Sequence, residues 1–195
     1  MRTFQAEIKP FMVKRPNGEE LEVRAIIVSR EEGMGWRPSG EIRPHPGGGA
    51  VINVSIPQGM DPTKQSVQDH IRSVLIHEMA HAAEPQIVAS LGTKGMTGRS
   101  YVNHPSEVTA RVAEVVHELR TPKAQSRIYW DDELPAFSTT PMEWARSSSK
   151  KWEEIAPLLD EPAKRRFMRA IAAAYEDARP PAPPAPPTLR KKAAR

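Results

Sequence analysis

Apolar and polar residues alternate along the first quarter of the chain and then give way to helical spacing. Thr3–Val13 and Leu21–Ser29 read as strands, and Asn17-Gly18 between them is a turn signal, so the pair is expected to form a hairpin. Residues 31–49 are rich in Gly and Pro and are expected to be loop. Gly47-Gly48-Gly49 lacks the spacing of a phosphate-binding fingerprint and reads as flexible backbone. Ala50–Ile56 alternates again and is expected to be the third strand.

Helical periodicity begins after Asp61-Pro62. Asp61 is a candidate cap, and proline suits the first helical position. This helix is expected to run to about Glu84, with Val67, Ile71, Val74, Leu75 and Ala82 on its apolar face. A second helix, capped at Asn103 or Ser106, carries Val108, Val112, Val115 and Leu119 on one face. Residues 121–140 look irregular, and two more helices are expected at about 141–158 and 161–178. In these last helices Trp144, Trp152, Ile155, Leu158 and Leu159 read as core, with a substrate groove as the sharper alternative. The order of three strands followed by four helices predicts an α+β domain with helices on one side of a small, mostly antiparallel sheet. Residues 1–178 are expected to form one domain, with 179–195 as a disordered tail.

Charge changes the picture little. The formal net charge is +4, and Arg179, Arg190, Lys191, Lys192 and Arg195, with no acid among them, account for more than all of it. The basicity belongs to the proline-rich tail, so the body offers no reason to expect a nucleic-acid face, and weak tail contacts are the most to expect. The chain has no cysteine, which excludes disulfides, thiolate metal ligands and a cysteine nucleophile. Its N-terminus carries charges where a signal peptide needs an apolar run, and no segment is apolar enough to span a bilayer. A soluble, cytoplasmic protein without membrane partners is expected.

The chemistry is concentrated in His77-Glu78-Met79-Ala80-His81 on the helix over 61–84. Residues four apart on a helix share a face, so both imidazoles can reach one ion. Neutral imidazole is a good zinc ligand, and Glu78, pointing to the side of the pair, is placed to act as a general base on a water held there. A catalytic zinc takes three protein ligands, and without cysteine the third is His, Asp or Glu. The segment Tyr101 to Arg111 is the best source: Glu107 leads, in the first turn of the next helix, and His104, held in a loop by Pro105, is the competitor. One zinc ion per chain is expected. Glu114 and Glu118, further along the same face, are candidates to orient the ligating histidines. Tyr101, His104 and Arg111 are candidate donors to an oxyanion. His45, His70 and His117 read as structural or exposed.

His77-Glu78-x-x-His81 followed by a helix-borne Glu resembles the gluzincin branch of the zincin metallopeptidases, and Tyr101-x-x-x-Pro-x-Glu107-x-x-Ala110 is similar to compact bacterial and phage-type zincin domains. The resemblance covers about residues 50–120. It implies a twisted sheet packed against an active-site helix and a following ligand helix, with extra C-terminal helices. It implies zinc held by His77, His81 and Glu107, Glu78 as the base, and a peptide or protein as substrate. It also implies an edge strand that pairs with the substrate backbone, for which Ala50–Ile56 is the candidate. No Asn-Glu-x-x-x-Asp arrangement surrounds Glu107, and no further His follows His81 at metzincin spacing, so neither the thermolysin family proper nor the metzincins are matched. Two alternatives stand beside this expectation: a binding or adaptor module that uses the proline-rich basic tail, and a regulatory peptidase that cuts one cellular protein.

Overall fold

The computed structural model describes residues 5–30, 39–57, 59–84, 96–131, 133 and 136–181. These form a mixed α+β structure with a four-stranded, mostly antiparallel sheet, a small two-stranded sheet and seven α-helices among the described residues.

The expected hairpin is present. β1 (Gln5–Lys14) pairs antiparallel with β2 (Glu20–Arg30) around a turn in which Gly18 has φ +87°. β1 is an edge strand, and its register shifts between Ile8 and Phe11, where Pro10 has no N–H to give to a ladder.

Residues 39–49, expected as loop, are a second hairpin. β3 (Ser39–Pro44) pairs antiparallel with β4 (Ala50–Pro57), and Gly47-Gly48-Gly49 closes the turn between them. The glycines have a conformational task that flexible backbone does not describe. Gly48 and Gly49 have φ +91° and +87°, and a Cβ on Gly49 would lie 2.5 Å from the carbonyl oxygen of Glu22. The sheet order is β1-β2-β4-β3, with β2 and β4 parallel. Ala50–Ile56 is therefore interior, contrary to its expected place at the edge, and β3 takes the edge.

α1 (Gln65–Ala82) crosses the sheet and buries Val67, Ile71 and Ala82 against Val23, Ala25, Ile52 and Val54. It starts later than expected. Lys64 is the N-cap residue, while Asp61 Oδ1 accepts from the backbone N–H and the hydroxyl of Thr63 and so caps its own turn. α2 (Gly98–Val102) leads to α3 (Pro105–Leu119), which packs along α1. The N-cap residue of α3 is His104, between the expected Asn103 and Ser106, because Pro105 takes the first helical position and the residue before a proline is kept extended.

The stretch expected to be irregular contains α4 (Pro122–Gln125) and the short strands β5 (Trp130–Asp131) and β6 (Ala136–Phe137). The helix expected over 141–158 is broken at Ser149 into α5 (Pro141–Ser148) and α6 (Lys150–Ile155), followed by a 3-10 turn. α7 (Glu161–Ala178) is continuous, as expected. Trp144, Trp152, Ile155, Leu159, Phe167 and Ile171 bury together with Val108, Val115 and Leu119 of α3. Leu158, expected among them, is exposed. Residues 182–195, most of the expected disordered tail, lie outside the described residues. No helix among the described residues is long and apolar enough to cross a membrane.

Two apolar clusters result. One lies between the sheet and α1, and the other among α3 and the C-terminal helices. α1 and α3 lie side by side where the clusters meet.

Candidate metal centre

His77, Glu78 and His81 are all buried on α1, and Glu107 is buried on α3, facing them. One turn of helix puts the imidazoles on the same side, with ring centroids 4.8 Å apart. Their Nε2 atoms lie 3.1 Å from each other. His77 Nε2 is 3.4 Å from Glu107 Oε2, and His81 Nε2 is 3.5 Å from Glu107 Oε1. His77, His81 and Glu107 each offer one donor atom to a group that could hold a metal ion.

The spacing fits such an ion. Tetrahedral bonds of about 2.0–2.1 Å place neighbouring donors about 3.3 Å apart, close to the distance between the rings and to the distance from each ring to its facing Glu107 oxygen. Glu107 Oε2 is buried without a hydrogen-bond partner, an arrangement that is costly unless a cation completes it. Facing ring nitrogens at 3.1 Å are likewise favourable around a shared cation.

The far sides of both rings are held. His81 Nδ1 lies 2.9 Å from Ser106 Oγ, and that hydroxyl donates to Glu84 Oε2 at 3.1 Å. His77 Nδ1 faces Glu114 Oε1 at 3.6 Å. With Nδ1–H directed outward on each ring, both Nε2 lone pairs point into the centre.

The electrostatics follow from this packing. Burial alone would raise the Glu107 carboxyl, but the facing His77 and His81 rings, when they carry a proton toward it, prevail by hydrogen bonding and then by charge and hold it far below the usual carboxylate range. Burial opposes the charged form of His81, yet Glu107 lifts its pKa above the ordinary value. Glu78 is raised, chiefly because burial disfavours its charge. The Tyr101 phenol is pushed well above its usual range by burial and then by the charge of Glu107, so its hydroxyl keeps its proton.

A cleft of about 130 Å³ opens onto the centre. Gly40, Glu41 and Ile42 of β3 form one wall, and His77, Glu78, His81, Tyr101 and Glu107 form the rest. β3 approaches α1 so closely that a Cβ on Gly40 would lie 2.5 Å from Val74 Cγ1 and 2.9 Å from Glu78 Cγ. Only a residue without a side chain fits there.

Of the residues singled out by sequence, His77, Glu78, His81, Tyr101 and Glu107 converge on this cleft. Arg111 lies behind it, 3.9 Å from Glu107 Oε2 and with its guanidinium 5.7 Å from the centroid of the Tyr101 ring. His104 stands at the N-cap position of α3 without a side-chain capping bond and is not among the residues lining the cleft. Glu114 reaches His77, whereas Glu118 turns away to accept from Ser149 Oγ and the backbone N–H of Lys151. His70 is exposed and bonds the carbonyl of Ser66; His117 is exposed as well. Sequence reasoning missed Gly40, Ser73, Ser106 and Lys151. The signal that could have found Ser106 is its place beside Glu107, and nothing local marks Ser73 or Lys151.

No family model, curated protein or solved structure matches this chain. The functional reading therefore rests on the centre and its cleft.

Proposed function

We propose that this protein is a zinc-dependent metallopeptidase in which His77, His81 and Glu107 hold the ion and Glu78 is the general base. The observation that carries the reading is the donor set, with separations of 3.1, 3.4 and 3.5 Å between the facing atoms of the two imidazoles and one carboxylate. Its place at the end of a cleft walled by an edge strand adds support.

A bound zinc supplies Lewis acidity, bringing the pKa of a water it holds toward 7 and polarising a carbonyl. The remaining work falls to the chain. Burial brings Glu78 closer to the range in which a carboxylate accepts a proton from water and later returns it to the leaving amine. The Tyr101 hydroxyl, kept protonated, is a donor for the oxyanion of a tetrahedral intermediate. The outer edge of β3 has no strand partner among the described residues, so its backbone groups can align an extended peptide across the cleft.

Metal analysis of wild type, His81→Ala and Glu107→Ala is the direct test. About one zinc per wild-type chain, lost or sharply weakened in both variants, is the expected result. Glu78→Gln is then expected to keep zinc and lose peptide hydrolysis. A wild-type chain that holds no zinc after supplementation, or a Glu78→Gln variant with full hydrolysis, overturns the reading.

A further inference from the structure

The metal centre draws on a residue far along the chain. Glu114, on α3, is buried and accepts from Ser73 Oγ at 3.2 Å through the same Oε1 that faces His77 Nδ1. Its other oxygen, Oε2, has no hydrogen-bond partner among the described residues and faces Lys151 Nζ at 3.5 Å. Lys151 comes from α6, in the C-terminal helical part. Its place there is fixed tightly. Glu118, one turn beyond Glu114 on α3, accepts the backbone N–H of Lys151 at 3.1 Å and the hydroxyl of Ser149 at 2.7 Å. Ser149 in turn caps α6 by accepting from Trp152 N, and Trp152 is buried in the helical core. Glu118 thus holds the backbone of Lys151 while Glu114 faces its ammonium.

We propose that Lys151 is a positioning residue for the metal centre, acting through Glu114 on His77; this rests on the zinc reading above. Glu114 is a buried carboxylate with two oxygens and two tasks. One oxygen must face His77 Nδ1–H so that Nε2 keeps its lone pair for the ion. A buried carboxylate left without a countercharge is strongly disfavoured, and it relaxes by turning toward water. Water is near, because Glu114 and Lys151 both line a groove of about 300 Å³ behind the centre. Lys151 supplies the countercharge on the groove side and keeps Glu114 turned toward His77. The 3.6 Å separation of His77 Nδ1 from Glu114 Oε1 exceeds a good hydrogen bond, and contacts of this kind tighten when a site is loaded.

The test is the zinc dissociation constant, measured by chelator competition on the full chain at one pH. Wild type is compared with Lys151→Met, Lys151→Arg and Lys151→Gln, and the visible spectrum of each cobalt-substituted protein is recorded. Losing a partner that orients a metal ligand costs about 10–100-fold in affinity, and that weakening is expected for Met and Gln, with Arg restoring most of it. The cobalt bands should shift in Met and Gln and return in Arg. A packing role would lower the melting temperature of the metal-free protein without this pattern of rescue. The Gln variant reads the same difference if the Met variant does not fold. Adding Glu114→Gln to Lys151→Met should cost little more than either alone, since both break one chain of contacts. Wild-type zinc affinity and an unchanged cobalt spectrum in Lys151→Met overturn this inference while leaving the zinc site standing. Absence of zinc binding by wild type overturns both.

Discussion

The two apolar clusters are built from different materials. The sheet side buries aliphatic residues, Val23, Ala25, Ile52, Val54 and Ile56, and among the described residues no fully buried aromatic appears in it. The helical side is organised around Trp144, Trp152, Phe167 and Tyr175, whose rings meet edge-on or tilted at 5.5–5.6 Å. Apart from Ser149 at the start of α6, the buried polar groups among the described residues lie between the two. His77, Glu78, His81, Ser106, Glu107 and Glu114 fall along the line where α1 meets α3. The difference is instructive. A sheet faced with aliphatic residues lets α1 sit close enough for Gly40 to touch Glu78, whereas bulky rings give α3 a rigid bed from which to present Glu107 and Glu114. Each side contributes part of the centre, and neither contains it.

The comparison can be broken most strongly from the helical side. Trp144 is fully buried, and its Nε1–H donates to the carbonyl of Ala124 at 2.7 Å. Trp144→Ala is expected to cost about 3–5 kcal/mol in urea unfolding. Zinc affinity should fall with it, since α3 loses its support; unchanged affinity in the folded fraction would mean that the two sides are independent. Zinc itself is expected to bind across the junction. Free zinc at about one hundred times its dissociation constant should stabilise the fold by about 2.7 kcal/mol, and a chelator should remove that increment in a melting experiment.

Gly40→Ala probes the sheet side. The added methyl meets Val74 Cγ1 and Glu78 Cγ, so a loss of about 1–3 kcal/mol is expected. Hydrolysis should drop sharply while zinc is retained, because Glu78 is displaced and the ligands are not. The smallest effect is expected at the capping box of α5, where Thr140 and Glu143 satisfy each other's backbone N–H groups. Thr140→Ala should cost about 1 kcal/mol and leave zinc affinity unchanged. Hydrogen bonds from the Thr140 backbone and then its side chain hold the Glu143 carboxyl below its ordinary value of 4.5. Its contribution is therefore present above that pH and fades as pH falls through the lowered value, which unfolding at several acidic pH values would follow.

Where local pattern dictates geometry, the sequence was easy to read. Alternation marked β1, β2 and β4, and helical spacing marked α1, α3 and α7. The i,i+4 histidine pair and the first-turn glutamate could be recognised because short-range helix geometry places them. What could not be read depends on partners distant in sequence. β3 carries Gly40 and Pro44, which look like loop residues; Gly40 is there because α1 passes over it, and Pro44 because an edge strand tolerates a missing N–H. The parallel pairing of β2 with β4 puts β4 inside the sheet, which alternation within a single strand cannot reveal. Asp61 and Pro62 carry the signals of a helix start, yet Thr63 captured the carboxylate first. Lys151 carries no local mark, because its importance lies in a carboxylate on another helix.

The parallel β2–β4 ladder also bears on the order in which the molecule assembles. Val23 must find Ala50 across the whole of β3 and its turn, and α7 must return to α3 over a longer stretch still, whereas β1 and β2 meet across a short turn. Closure over long separations slows folding, so the β1–β2 hairpin is expected to form before the ladder closes and before α7 docks on α3. α1 rests on α3 on one side and on β3 and β4 on the other, so its place is complete only when both have assembled. His77 and His81 would then reach Glu107 among the last contacts made, and zinc added during refolding should bind in step with the slowest phase.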